Sequence, residues 1–129
     1  MSARLRAWAP AVLWAAVLFA FSSRPTLPVD LSSGRDKIAH CLAYAVLGAL
    51  IARALGRRSL IPLAIGIGVL YALFDEVYQS FVPGRDADVA DWVADALGTI
   101  AGAAGYHLWH RWKQPSARRT SRDPDPLAR

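Results

Sequence analysis

The 129-residue sequence has little sulfur and little charge. It contains one cysteine, Cys41, and one methionine, and charged residues make up 19% of the chain. A single cysteine excludes an internal disulfide framework and zinc motifs built from several cysteines. Soluble domains carry about 25% charged residues. The low fraction of charged residues, together with 54% hydrophobic residues, excludes a disordered chain and argues against an ordinary soluble enzyme.

Four apolar stretches dominate the sequence instead. They lie at about residues 8–21, 38–54, 60–81 and 89–109. Each approaches the roughly 17–25 residues that a helix needs to cross a bilayer. We therefore predict an all-α protein, an integral membrane four-helix bundle formed by residues 1–112, with Pro10 in the first turn of the first helix. Arg4 and Arg6 before the first stretch also fit a signal peptide, but no small-x-small cleavage site follows the stretch.

Cationic residues concentrate at the N-terminus, in the turn after the second stretch and in the tail, whereas eight of the ten acids lie between Asp30 and Asp95, in and around the two other connections. The positive-inside rule then places both termini in the cytoplasm. We predict that residues 113–129 form a disordered basic cytoplasmic tail that contacts anionic lipid. No basic groove interleaved with aromatic residues accompanies the tail, so we expect no nucleic-acid partner. The patches are Arg4, Arg6, Arg53, Arg57, Arg58, Arg111, Lys113, Arg118, Arg119, Arg122 and Arg129.

Short signals mark the ends of the other helices. The S-x-x-D sequence Ser33–Asp36 predicts a capping box before the second helix. Gly56 is a predicted stop for that helix, and Pro62 is predicted in the first turn of the third. Asp86 or Asp88 can cap the fourth helix.

Three of the predicted helices carry polar side chains near their outer ends. Residues three, four or seven positions apart share a helix face, so each set forms a stripe. Charged groups within a membrane segment face a bundle interior or a watery cavity, and the stripes are therefore expected to converge just below the outer surface. They comprise Lys37, His40 and Tyr44; Tyr71, Asp75 and Gln79, with Glu76 beside them; and Asp88, Asp91 and Asp95, continuing to Gly98 and Gly102.

Structural roles compete with function at several of these positions. Lys37 can extend to the lipid headgroups, and Tyr71 fits the aromatic belt at a membrane interface. Asp36 and Asp88 are more simply explained as helix caps. Gly98-x-x-x-Gly102 is a close-packing signal between membrane helices rather than a ligand loop.

Three carboxylates are harder to explain structurally. Asp75, Glu76 and Asp95 interrupt stretches that would otherwise continue the spans, and none of them is placed to cap its own helix. If these carboxylates have only a structural role, one of them would form a buried pair with His40 or Arg85. We favour a functional role for Glu76 and Asp95.

The polar residues occur in three blocks of characteristic order and spacing. The blocks are Asp36-Lys37-x-x-His40-x-x-x-Tyr44-x-x-Leu47-Gly48, Asp75-Glu76-x-x-Gln79, and Pro83-Gly84-Arg85 followed by Asp91 and Gly98. Over roughly residues 10–108 the chain resembles the VanZ-like family, small membrane proteins named for an accessory teicoplanin-resistance protein. The resemblance implies a candidate polar pocket, to which Asp95 is added where the family often has Asn. Its members are His40, Asp75, Glu76, Gln79, Arg85, Asp91 and Asp95, with Lys37 and Tyr44 as secondary residues.

The resemblance also implies a multi-pass protein of the bacterial cytoplasmic membrane. We expect it to modulate the cell envelope, including susceptibility to glycopeptides such as teicoplanin, through an outward-facing polar pocket. The expected partners are the bilayer and a phospholipid or lipid-linked cell-wall precursor, and the sequence leaves the oligomeric state open. We expect no cofactor, although His40 with the carboxylates offers ligands for a divalent cation.

Two other functions remain open. The first is an enzyme acting on a lipid-linked phosphate or cell-wall precursor, in which His40 and the carboxylates share acid and base roles. The sequence contains no Gly-x-Ser-x-Gly, phosphate-loop or His-Glu-x-x-His motif, so we lean towards a protein that is not an enzyme. The second is proton or ion transport through Asp75, Glu76 and Asp95, which the lack of polar residues in the inner halves of the helices disfavours.

Overall fold

Four long helices account for nearly all of the chain that the computed structural model describes, which is residues 2–25, 34–85 and 87–113. The helices are α1 (Ala3–Ser22), α2 (Arg35–Leu55), α3 (Ile61–Gln79) and α4 (Val89–Trp112), with a 3-10 turn at Arg58–Leu60 before α3. The predicted all-α architecture is confirmed. Helices α1 and α2, and α3 together with its preceding turn, are long and apolar enough to cross a membrane.

Helix α4 does not reach the same hydropathy, because aspartates and glycines replace part of its apolar sequence. It nevertheless buries a charged side chain and exposes apolar ones, as helices of membrane bundles do. Asp95 is 1% exposed, whereas Leu97 and Ile100 are 58% and 43% exposed. Buried carboxylates and outward apolar side chains are the arrangement expected of a helix surrounded by lipid on one side.

The start of α1 corrects the prediction for that helix. The helix begins at Ala3 rather than near residue 8, because the Ser2 hydroxyl caps it by accepting the Leu5 N–H at 3.4 Å. Pro10 therefore lies inside the helix and not in its first turn. Since proline has no N–H, the carbonyl of Arg6 loses its usual helical donor there.

The other helix ends agree largely with the sequence signals. Gly56 ends α2 in the left-handed conformation, with φ of 67°, and Pro62 lies in the first turn of α3. Asp88 caps α4, its side chain accepting the Ala90 N–H at 2.8 Å. The residue that precedes α2 is Gly34, which has no side chain to cap the helix, and the predicted box residue Ser33 lies outside the described residues.

The closest helix contact joins α2 to α4, which run parallel. Gly98 lies against the backbone of Cys41, and Gly102 lies against the backbone of Ala45. A Cβ atom added at either glycine would overlap a carbonyl oxygen of α2. The small residues therefore let two backbones approach, as the Gly98-x-x-x-Gly102 signal predicts.

Helix α1 packs on α2 and α3 through side-chain donors. The Trp14 indole Nε1 donates to the Ala43 carbonyl at 2.9 Å, and the Tyr71 hydroxyl donates to the Ala15 carbonyl at 2.6 Å. Tyr71 was predicted on the polar face of α3, with the aromatic belt as its structural alternative, and its hydroxyl joins α3 to α1. Because α1 and α3 end where α2 and α4 begin, the predicted polar stripes lie together at one end of the bundle.

Candidate functional site

Buried polar side chains from all four helices meet at one end of the bundle, which we call the polar end. Each of them is at most 6% exposed. Helix α1 contributes a residue that the sequence did not single out, Ser22, because a serine at the end of an apolar stretch gives no distinctive signal. The buried members are Ser22, Tyr44, Asp75, Glu76, Gln79 and Asp95.

One group of contacts centres on Asp75. Its Oδ2 accepts hydrogen bonds from the Ser22 hydroxyl at 2.7 Å, the Tyr44 hydroxyl at 3.1 Å and the Gln79 Nε2 at 3.4 Å. All three donors are neutral. Arg85 joins the group from the loop after α3, where its Nη2 donates to the Gln79 Oε1 at 2.7 Å. This Asp75 network ties α1, α2 and α3 together.

A second group centres on Asp95 of α4. Its Oδ1 lies 3.0 Å from Nδ1 of His40 on α2, so the predicted structural alternative of a His40–carboxylate pair is present. The Asp95 side chain is 1% exposed and that of His40 is 18% exposed. A carboxylate on one ring nitrogen fixes the orientation of an imidazole and leaves the other nitrogen to act elsewhere.

Lys37 lies at the rim of the polar end, between the two N-terminal turns of α2 and α4. Its ammonium binds the carboxylates of Asp88 and Asp91 and lies 3.4 Å from that of Asp36. Lys37 thus binds carboxylates of α4 and its cap, and does not extend away from the bundle as a headgroup contact would require. This ammonium and the Ala90 N–H hold the pKa of Asp88 below its ordinary value.

Glu76 connects α3 to the start of α4. Its Oε1 accepts the backbone N–H of Asp88, and the side chain is 6% exposed. Glu76 therefore links α3 to the end of the loop that carries Arg85. Its carboxylate belongs to the polar end and also has a structural hydrogen-bond partner. The predicted pocket residues thus fall into three groups: Asp75, Gln79 and Arg85 in one network, His40 and Asp95 in a second, and Asp91 with Lys37 at the rim, while Glu76 joins α3 to the start of α4.

Two buried carboxylate oxygens in the polar end have no hydrogen-bond partner among the described residues, Asp75 Oδ1 and Asp95 Oδ2. Unpaired buried acceptors are costly, so the polar end has capacity for further donors. No set of three or more His, Cys, Asp or Glu side chains within the described ranges is placed to hold a metal ion.

Beyond the polar end the described interior is apolar apart from Thr99, which lies against Gly48 and Gly68. The buried residues there include Leu47, Ile51, Ala52, Ala64 and Ala103, all at most 3% exposed. In the described part of the chain, the buried charged residues are confined to the polar end. The buried charged side chains of the described residues therefore lie together at one end of the bundle and do not continue along its axis.

Apolar outer faces and a one-sided polar interior define a multi-helix membrane protein with a candidate binding site at one end. The sequence profile of the VanZ/LLP1 family matches residues 7–110. The chain belongs to this family, and the resemblance inferred from its three polar blocks is confirmed. Comparison with curated proteins and with solved structures finds no match.

Proposed function

We propose that this protein resides in the bacterial cytoplasmic membrane and binds a polar headgroup at its polar end. The headgroup belongs to a phospholipid or a lipid-linked cell-wall precursor, and its binding lowers susceptibility to glycopeptides such as teicoplanin. The observation that carries the proposal is the convergence of buried polar side chains from four helices at one end of an otherwise apolar bundle. Charged groups within membrane segments are costly and usually serve function.

The charge distribution supports an outward-facing polar end. Arg53 lies in the last turn of α2 and Arg111 in the last turn of α4, both at the opposite end of the bundle. The exposed residues Arg57 and Arg58 lie in the turn that follows α2. Basic residues remain on the cytoplasmic side, so the polar end would face the surface on which cell-wall precursors are assembled into the wall.

The polar end carries groups that suit an anionic headgroup. A guanidinium has five N–H donors, and one donor nitrogen of Arg85, Nη2, binds Gln79. The remaining donors suit a phosphate or carboxylate, which guanidinium binds in a bidentate fashion. Partly exposed His40 adds a further ring nitrogen beside this loop.

The test is drug tolerance in a glycopeptide-sensitive Gram-positive host. Expression of the wild-type chain should raise tolerance to teicoplanin more than to vancomycin, and Arg85→Ala should return it to the vector level. Arg57→Ala, at the exposed opposite end, is the matched control and should retain the effect. Equal sensitivity of wild type and vector, with verified membrane expression, would contradict the proposal.

A second candidate function is hydrolysis of a lipid-linked phosphate. The observation that favours it is the His40–Asp95 contact, since a carboxylate that orients imidazole prepares the other ring nitrogen to take a proton from water. Purified protein would be incubated with phosphatidic acid or an isoprenyl diphosphate, and released phosphate measured. Release by the wild type that His40→Gln and Glu76→Gln abolish would support an enzyme, whereas no release by the wild type would count against it.

A further inference from the structure

An apolar pocket of about 150 Å³ lies between α1, α2 and α3. Its wall includes Trp8, Ala11, Leu47, Ile51, Ile67 and Tyr71. Helix α1 contributes the small side chains of Ala11 and Ala15 to this wall, so a larger side chain at position 11 would occupy part of the space. Ala11, Leu47 and Ile51 are each at most 4% exposed, so they lie behind the outer surface of the bundle.

The chemistry of the wall selects an apolar occupant. A pocket of about 150 Å³ whose accessible lining is apolar favours hydrocarbon groups over water. Val12 also lines the pocket and is 63% exposed, so the mouth opens on the outer face of the bundle. That face belongs to membrane-crossing segments, where the available apolar groups are the hydrocarbon chains of lipids.

The pocket lies directly beside the polar end. Tyr71 forms part of the pocket wall, and its ring centroid is 6.2 Å from that of Tyr44. The Tyr44 hydroxyl in turn donates to Asp75. Because Asp75 follows Tyr71 by four residues, the two regions are separated by about 6 Å along α3.

We infer that this pocket binds the hydrocarbon chain of a lipid whose headgroup lies at the polar end. The inference rests on the proposed headgroup site and narrows its ligand to a lipid with an acyl or isoprenoid chain. A soluble cell-wall peptide or a protein partner would have no use for the pocket. Two adjoining subsites of opposite polarity, at one three-helix interface, match the two parts of an amphipathic molecule.

Photo-cross-linking tests the inference. The full chain is reconstituted in phosphatidylcholine vesicles that contain phosphatidylglycerol with a diazirine in one acyl chain, and labelled residues are mapped by mass spectrometry. We expect labelling of Ala11, Leu47 and Ile51, which lie behind the outer surface of the bundle. Ala11→Leu should fill the pocket and reduce this labelling about tenfold, a change equivalent to about 1.4 kcal/mol of binding free energy.

Two further variants keep the result interpretable. Ala16→Leu enlarges an exposed position of α1 and should leave the buried labelling unchanged. Ile51→Ala enlarges the pocket and should increase labelling of Ala11 and Leu47, so the test survives a failure of Ala11→Leu to fold. Buried residues that remain unlabelled in the wild type, or labelling that neither variant changes, would overturn the inference.

The headgroup site is measured separately in the same vesicles. Unlabelled phosphatidylglycerol should compete with the probe better than phosphatidylcholine, and Arg85→Ala should remove that preference. If pocket labelling responds to Ala11→Leu but no headgroup preference exists, the chain pocket stands and the headgroup site fails. A headgroup preference without pocket labelling would support the headgroup site and overturn the chain pocket.

Discussion

Two buried carboxylates of the polar end, Asp75 and Asp95, have almost the same exposure and very different partners. Asp75 is 2% exposed and accepts three neutral donors. Asp95 is 1% exposed, and its described hydrogen bond is to the imidazole of His40, which solvent can reach. Burial alone therefore does not distinguish a carboxylate that holds helices together from one that orients a reactive or ligand-binding group.

The two networks also differ in how their helices meet. Around Asp75, the helices α1, α2 and α3 are joined through side chains. Around Asp95, α2 and α4 are in backbone contact at Gly98 and Gly102, which brings His40 within reach of Asp95. We therefore expect the Asp75 carboxylate chiefly to stabilise the bundle, and the Asp95 carboxylate chiefly to orient the partly exposed His40.

Asp75→Leu should cause the largest loss of stability. It leaves the donors of Ser22, Tyr44 and Gln79 without their shared acceptor, and each stranded buried donor costs about 1–3 kcal/mol. We expect the variant to aggregate or to lose its cooperative thermal transition in detergent. Asp75→Asn keeps an acceptor oxygen and is the matched control. Equal thermal stability of Asp75→Leu and the wild type would contradict the structural role.

Gly102→Ala should have the next largest effect, by separating α4 from α2. The new methyl group would collide with the Ala45 carbonyl, and overpacking of this kind costs about 1–3 kcal/mol. Gly105→Ala is the control, because nothing lies within 4 Å of a Cβ atom at Gly105. A melting temperature that falls equally in both variants, or in neither, would argue against close backbone contact in this seam.

Asp95→Asn should change function more than stability. The amide retains a hydrogen-bonding oxygen but no longer carries the carboxylate that orients the His40 imidazole. We expect teicoplanin tolerance to fall towards the vector level while the melting temperature stays near that of Asp75→Asn. If Asp75→Asn abolishes tolerance and Asp95→Asn does not, the division of roles between the two networks is reversed.

Asp88→Asn should produce the smallest effect. Asparagine caps a helix about as well as aspartate, so the substitution isolates the charge contact with Lys37, and half-exposed ion pairs contribute little. Because the folded pKa of Asp88 is lowered, its contribution is present above the ordinary aspartate pKa and is lost as pH falls through the folded value. Thermal scans should therefore separate the variant from wild type at neutral pH and converge in acid. A pH-independent difference would point to the cap instead.

Much of this fold was predictable from local sequence. Apolar length identifies the helices, and the spacing of Asp91, Asp95, Gly98 and Gly102 identifies the face of α4 that meets its neighbours. Helical spacing likewise predicted that Asp75 and Gln79 share a buried face. The start of α1 was wrong because a cap at Ser2 extends the helix beyond its apolar stretch.

The pairing within the site was not predictable. Spacing along one helix does not specify which side chain of another helix will lie opposite, so the assignment of His40 to Asp95 and of Arg85 to Gln79 required the packed structure. Ser22 carried no signal, although it donates the shortest of the hydrogen bonds to Asp75. Extension to the headgroups was only the structural alternative for Lys37, and its carboxylate partners Asp88 and Asp91 become neighbours only when α2 meets α4.

The most direct test of a ligand site at the polar end is native mass spectrometry of the detergent-purified protein. Wild type would be compared with Arg85→Ala and Glu76→Gln, with Arg57→Ala as the control from the opposite end. We predict that wild type and Arg57→Ala retain a phospholipid or lipid-linked precursor that both polar-end variants lose. The same retained mass in all four proteins, or none in the wild type, would contradict the assignment of the polar end as a lipid-binding site.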